Sequence, residues 1–299
     1  MDERGLMTRG DKIEQVVIHI ILIIFSLCAI LPFVLLISGS FTDESTLTIT
    51  GYKFWPSKWS IYAYEYLFIT NGANILRAVS ISVFITVFGT TLSLLTAPML
   101  AYVLSRRDYK RASIMSFFVI FTMLFNGGIV PSYMMWNNLF GIKNTIWALV
   151  FPNLVMNGFI IVIMKNYFTQ NIHPALIEAA KIDGANELHI YFRVVLPLSQ
   201  PILATVGLMI GLGYWNDWIN GLYYITDTKL YSLQVMLSSI LMNAQALMTM
   251  GSSAAVGMKI PSVSIRMAIA VVGTVPIIIL YPFFQKYFIK GITLGGVKE

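Results

Sequence analysis

From Val16 to Ile37 the chain runs for 22 residues without an Asp, Glu, Lys or Arg. As a helix this run is about 33 Å long at about 1.5 Å per residue, enough to cross the hydrocarbon core of a bilayer. It is too long for the apolar core of a cleavable signal peptide, so it reads as a retained first span. Further charge-free runs follow at Ala78–Ser105, Ala112–Ile142, Asn144–Met164, about 198–221 and about 263–284. A soluble domain cannot hide that much apolar surface. Composition agrees: only 11% of the residues are charged, against about a quarter in soluble domains. The fold expected is therefore an all-α membrane protein with about six transmembrane helices. The third run holds Asn126, Gly127, Gly128 and Pro131, so it reads either as one bent helix or as a helix and a shorter outer segment.

Basic residues set the orientation. With the N-terminus inside, 13 of the 20 Lys and Arg fall on inner segments, and the cluster Arg106, Arg107, Lys110, Arg111 votes most strongly. Both termini are then cytoplasmic. The net charge of +6 fits basic loops over anionic lipid and requires no nucleic acid. The single cysteine, Cys28, lies in the first run, where it has no disulfide partner within the chain. His19, His173 and His189 are scattered and no metal-binding pattern occurs, which argues against an enzyme and against a metal site.

The polar segment 174–196 lies between the fourth and fifth runs, on the cytoplasmic side. Pro174 suits a first helical position, Ala175–Ile182 forms helix well, and Gly184 can supply a positive φ that ends it. Asn186 can cap a second helix. There Leu188, Tyr191, Phe192 and Val195 fall at i, i+3, i+4 and i+7, predicting one apolar face. Ala179 and Ala180 leave little bulk beside Glu178, so a partner surface could approach closely. The expectation is a small protruding element held down by the second helix.

No G-x-x-x-x-G-K-[ST] phosphate loop occurs, so ATP would have to be used by another chain. An ion-coupled carrier or channel is the alternative class. It would keep ionisable groups near mid-membrane, whereas His19, Arg77 and Asp217 all lie toward span ends. For a polar solute, Trp215 and Asn216, with Asn126 and Asn157 as buried candidates, offer the aromatic faces and amides that suit a sugar path. Such aromatics also build interfacial belts, and membrane Asn also joins helices. Asp217 and Trp218 read as an outer gate or docking site. External segments 38–74 and 225–262, the latter with a possible amphipathic stretch Leu233–Leu247 and the small-residue run Gly251, Ser252, Ser253, are candidate docking surfaces.

The run Glu178-Ala179-Ala180-Lys181-Ile182-Asp183-Gly184-Ala185, with Phe192, Leu196-Pro197-Leu198 and Pro201 behind it, resembles the EAA motif of ABC importer permeases. Phe125-Asn126-Gly127-Gly128-Ile129-Val130-Pro131, Trp215-Asn216-Asp217-Trp218 and the C-terminal Lys290–Lys298 are similar to the carbohydrate-uptake branch, to the maltose-type second permease and to the subgroup serving alginate or pectin-derived oligosaccharides. The resemblance covers about residues 14–298. It implies a type I importer transmembrane domain at 74–285, preceded by a segment 1–73 holding the first span and followed by a cytoplasmic tail 286–299. It also implies that the coupling helix within 174–195 meets an ATPase through Glu178, Ala179, Ala180, Asp183, Gly184 and Ala185. The implied partners are a second homologous permease, two ATPase subunits that bind ATP and Mg, an extracellular solute-binding lipoprotein and a sugar or oligosaccharide. In that branch the tail can touch the ATPase; the terminal Glu299 departs from the pattern and leaves that contact open.

Overall fold

The computed structural model describes residues 9–152, 154–249 and 263–296. The described residues are helical apart from turns and one isolated bridge, Thr42–Trp59. In order they form α1 (Arg9–Ser40), α2 (Glu44–Thr50), α3 (Tyr62–Glu65), α4 (Asn71–Ser105), α5 (Ala112–Leu124), α6 (Ile129–Met134), α7 (Gly158–Asn171), α8 (Pro174–Ile182), α9 (Glu187–Ile190), α10 (Leu196–Leu198), α11 (Gln200–Trp215), α12 (Ile219–Tyr224), α13 (Leu233–Thr249) and α14 (Val263–Gly296). π-helical turns continue α3, α6 and α9.

The chain divides into two units. One comprises Met1–Gly72 and Leu241–Thr274; the other comprises Ala73–Ile240 and Val275–Glu299. In the first unit the described side chains of α1 are exposed all round as far as Val34. A helix this apolar and this uncovered belongs in lipid or against another membrane helix. Its outer end is polar and held. Ser38 Oγ donates to the Lys53 carbonyl at 2.6 Å, Asp43 N to the Lys58 carbonyl at 3.0 Å, and Ser60 N to the Phe41 carbonyl at 2.8 Å. Glu44 accepts from Val263 N, Ser264 N and Ser264 Oγ, capping the start of α14.

The second unit is built around α4. Small residues let α11 approach it closely. A Cβ on Gly89 would lie 2.3 Å from the Tyr214 ring, and one on Gly207 would lie 3.1 Å from Leu94. Tyr214 is fully buried and donates to the Val150 carbonyl at 3.0 Å. One cluster joins Ala97, Ala101 and Leu104 of α4 to Ile160, Ile161, Met164 and Phe168 of α7, and to Ile190, Tyr191, Val195, Val206 and Ile210. A second gathers Ile85, Ala148, Leu149, Val150, Tyr224 and Ile225.

The first two runs lie inside helices long and apolar enough to cross, Ile13–Ser40 and Gly72–Ser105, which extend beyond Val16–Ile37 and Ala78–Ser105. The third run resolves into two segments. Ala112–Leu124 and Ile129–Leu139 meet at 114°, with Gly128 at φ +87° in the break. The fifth run falls on Gln200–Tyr224, and the sharp bend falls at its start, where it sits at 82° to the preceding Glu187–Leu198. The fourth run corrects the expectation. Asn144–Met164 is not a continuous helix; a 3₁₀ turn at Ile146–Leu149 is followed by irregular chain, and α7 begins only at Gly158. The reason is local: Asn144 and Met156 take positive φ, and Asn157 is occupied in capping α7.

Candidate functional site

The segment predicted to protrude does so. α8 starts with Pro174 in its first turn, and His173 Nδ1 accepts from Ala175 N at 3.3 Å. It ends in a Schellman turn. Gly184, at φ +78°, donates its N–H to the Lys181 carbonyl at 3.0 Å, and Ala185 N donates to the Ala180 carbonyl at 3.0 Å. Asn186 then caps the next helix by accepting from His189 N at 2.8 Å. The two caps face each other across Gly184 and fix the knob's shape from local chemistry alone.

Glu178, Ala179, Asp183 and Gly184 are exposed, and Ala180 and Ala185 are half-buried against the core. No residue of α8 is fully buried, and Ile182 is 86% exposed. Leu176, Leu188 and Phe192 are exposed as well. The predicted apolar face needs correction: Tyr191 and Val195 are buried, but so is Ile190, while Leu188 and Phe192 point away from the core. The π-helical turn at Tyr191–Val195 is the cause. Its i→i+5 spacing shifts the phase by a residue relative to an α-helix. The knob thus presents apolar side chains beside the acidic Glu178 and Asp183, a surface in want of a partner.

A ring of alternating charge lies beside it, and sequence reasoning missed it. Arg106, at the end of α4, bonds Asp108 through Nε at 2.7 Å and through Nη2, and reaches Glu187 through Nη1 at 2.8 Å. Lys181 closes the ring, 3.1 Å from Asp108 and 3.3 Å from Glu187. Tyr102 Oη adds a bond to Glu187 at 3.0 Å. The Arg106 guanidinium holds the Asp108 carboxyl well below the usual carboxylate range; burial opposes this and Lys181 assists it. Bonds to Asp108 and Glu187 push the Lys181 ammonium up. The sequence signal was present, since the 106–111 charges had been noted, but only as a vote on orientation. Nothing in the linear order places Arg106 against Glu187, 81 residues on.

Elsewhere in the same unit, the break of the third run meets α12. Asn126, Gly128 and Ser132 from one, and Asn220 and Tyr223 from the other, line a small cavity of about 90 Å³. Tyr133 stacks on Tyr224 with ring centres 5.5 Å apart. Asn220, not foreseen, is buried and donates to the Pro152 carbonyl at 2.9 Å. Asn126 and Asn157 are exposed rather than buried. Each caps backbone locally, Asn126 accepting from Gly128 N at 2.8 Å and Asn157 from Phe159 N at 3.0 Å. Trp215 is 6% exposed, packed within the unit, whereas Asn216 and Trp218 are exposed. Asp217 is half-buried and accepts from Asn220 N at 3.3 Å. α11 ends at Trp215, so Trp215 and Trp218 do not share one helical face. Gly251, Ser252 and Ser253 lie outside the described residues. Among the described residues no group of three or more His, Cys, Asp or Glu could hold a metal.

Residues 89–294 match the family model described as binding-protein-dependent transport system inner membrane component. The chain is 38% identical over 288 residues, 96% of its length, to the polygalacturonan/rhamnogalacturonan transport system permease protein YtcP of Bacillus subtilis (strain 168), covering 99% of that protein. It is 38% identical over 269 residues to protein LplC of the same organism, covering 90% of this chain and 89% of that one. A crystal structure of a bacterial ABC transporter involved in the import of the acidic polysaccharide alginate contains a chain that superposes with a TM-score of 0.77 at 29% identity, covering 95% of this chain and 99% of that one.

Proposed function

The chain belongs to the family of binding-protein-dependent transport system inner membrane components, and from that membership we propose that it is a permease subunit of an ATP-driven sugar importer, with α8 as its coupling helix. It forms half of the translocation path with a second, similar permease. Two separate ATPase subunits, which bind ATP and Mg, drive it, and an extracellular binding lipoprotein delivers the solute. The chain itself carries out no hydrolysis. The names of the relatives support an oligosaccharide, and those for polygalacturonan and alginate support an acidic one.

The observation that carries the coupling role is the form of α8. It is capped at both ends, exposed, and bears Glu178 between small residues and uncovered apolar ones. Exposed apolar side chains grouped with polar ones mark a protein interaction surface. Closure of the ATPases would displace this knob, and the chain would carry the displacement through α9 and α10 into α11. Asn216 and the cavity at Asn126 and Asn220 are the candidates for solute contact, since broken backbone at membrane depth is tolerated where it lines a cavity or is covered by protein. Asp217 and Trp218 are the candidates for docking the delivering protein.

The test is reconstitution with the partner subunits in proteoliposomes. Replacing Glu178 or Gly184 is expected to lower solute moved per ATP hydrolysed while the complex still assembles. Unchanged uptake by both variants overturns the coupling role.

A further inference from the structure

α8 is a poor lever as packed. It buries no residue fully, and a cleft of about 540 Å³ opens between it and the ends of α4 and α7, lined by Ser105, Arg107, Thr169, His173 and Glu178. Force applied to a helix above a void bends it unless something props it. Apart from the partly buried Ile177 and Ala180, which pack against the core, the route from α8 into the spans runs along the chain, through the Gly184 turn toward α11.

The charge ring supplies a prop. Lys181 lies in the last turn of α8, and Glu187 opens α9 just past the turn. Both are tied to Arg106 and Asp108 at the inner end of α4. Arg106 is the member that cannot be exchanged. Its side chain is 10% exposed while its acidic partners are 55% and 57% exposed, and its fork engages both carboxylates at once. A lysine, with a single point of charge, cannot span both in that geometry. α4 in turn contacts α11 at Gly89 against Tyr214.

We propose that Arg106 is a positioning residue that makes α8 and the inner end of α4 move as one body, so that displacement of the knob enters the membrane through two helices. This deepens the coupling role and rests on it. α4 is driven through the ring and α11 through the chain. Because the two meet at Gly89 and Tyr214, they turn together rather than shear. Without Arg106, α8 tips into the cleft and the stroke is lost.

The experiment uses the reconstituted complex with Cys28→Ser, and with Tyr109→Cys and Ile182→Cys carrying spin labels; both positions are exposed. With Arg106 present, the distance between the labels is expected to change between nucleotide-free and ATP-trapped states by less than the ~1–2 Å of a typical interface helix shift. Arg106→Ala is expected to broaden the distribution and to lower solute moved per ATP by about tenfold, the range that loss of a coupling contact reaches. Arg106→Lys is expected not to restore it. A narrow distribution or an unchanged transport ratio in Arg106→Ala overturns the proposal. Should Arg106→Ala fail to assemble, Glu187→Gln replaces it with the same expectations; failure of both to assemble assigns the ring to assembly and also overturns it. Glu178 and Gly184 variants in the same preparation separate the layers. If they uncouple and Arg106→Ala does not, the strut alone fails; if none uncouples, the coupling role fails with it.

Discussion

Replacement of Gly184 by Asn, Ala and Val separates backbone strain from side-chain bulk at the turn that ends α8. Gly184 takes φ +78°, and an added Cβ there meets no atom of the chain within 4 Å. The whole intramolecular cost is therefore conformational. For an ordinary L-residue the left-handed region costs about 1–2 kcal/mol, while Asn tolerates it. Two backbone bonds depend on the turn, Gly184 N to Lys181 and Ala185 N to Ala180, both at 3.0 Å. A penalty of about 1–2 kcal/mol depopulates the native turn by a factor of about 5–30. In reconstituted complexes, solute uptake and ATP hydrolysis are measured side by side. The Asn variant is expected to stay near the parent protein. Ala is expected to lose up to that factor in solute moved per ATP, and the β-branched Val more. If Asn fails as badly as Ala, room for an approaching partner matters at this position and φ does not. If Ala matches glycine, the turn is not needed at all.

Gly89→Ala places a methyl group into the Tyr214 ring, and overpacking of this kind costs about 1–3 kcal/mol. Thermal unfolding in detergent at a fixed scan rate should fall by several degrees, and Tyr214→Leu on the same chain should recover part of it; no shift would mean that α4 and α11 are not in contact there. Glu44→Ala removes the acceptor of Val263 N and Ser264 N, so amide exchange at those two positions should quicken, by a factor of about 5–30 for the ~1–2 kcal/mol of a lost cap. An unchanged rate would refute the capping role. Asp108 sets a pH dependence. Its pKa is depressed below the ordinary 3.8, so its contribution is fully present above that value and is lost only as pH falls through the depressed one. The difference in solute moved per ATP between the parent and Asp108→Asn should thus be flat from pH 8 to about 5, and should shrink as salt screens the half-exposed ring. A difference that varies between pH 8 and 5 would show that another group carries it.

The local chemistry of the knob could be read in advance because it depends on neighbours in the chain. Pro174, Gly184 and Asn186 act on backbone within a few residues, and they cap α8 and open α9 as their types require. The apolar face after Asn186 was only half legible. A π-helical turn at Tyr191–Val195 is decided by packing of Ile190 and Val195 into the core, and it moves the phase that an α-helical count assumes. Asn157 carries the same lesson: its amide looked buried in an apolar run, but the run breaks there and the side chain serves as a cap.

The amino-acid order alone determined that the chain carries membrane-length apolar runs, where they lie, and where a polar helix–turn–helix interrupts them, since run length and capping are short-range properties. Only the tertiary structure decided which helices touch and what braces the knob. Gly89 meets Tyr214, Arg106 meets Glu187, and the break at Asn126 shares one cavity with Asn220. Those pairings join residues far apart in sequence, and they are selected by shape and charge fit across the folded bundle, which no local pattern encodes.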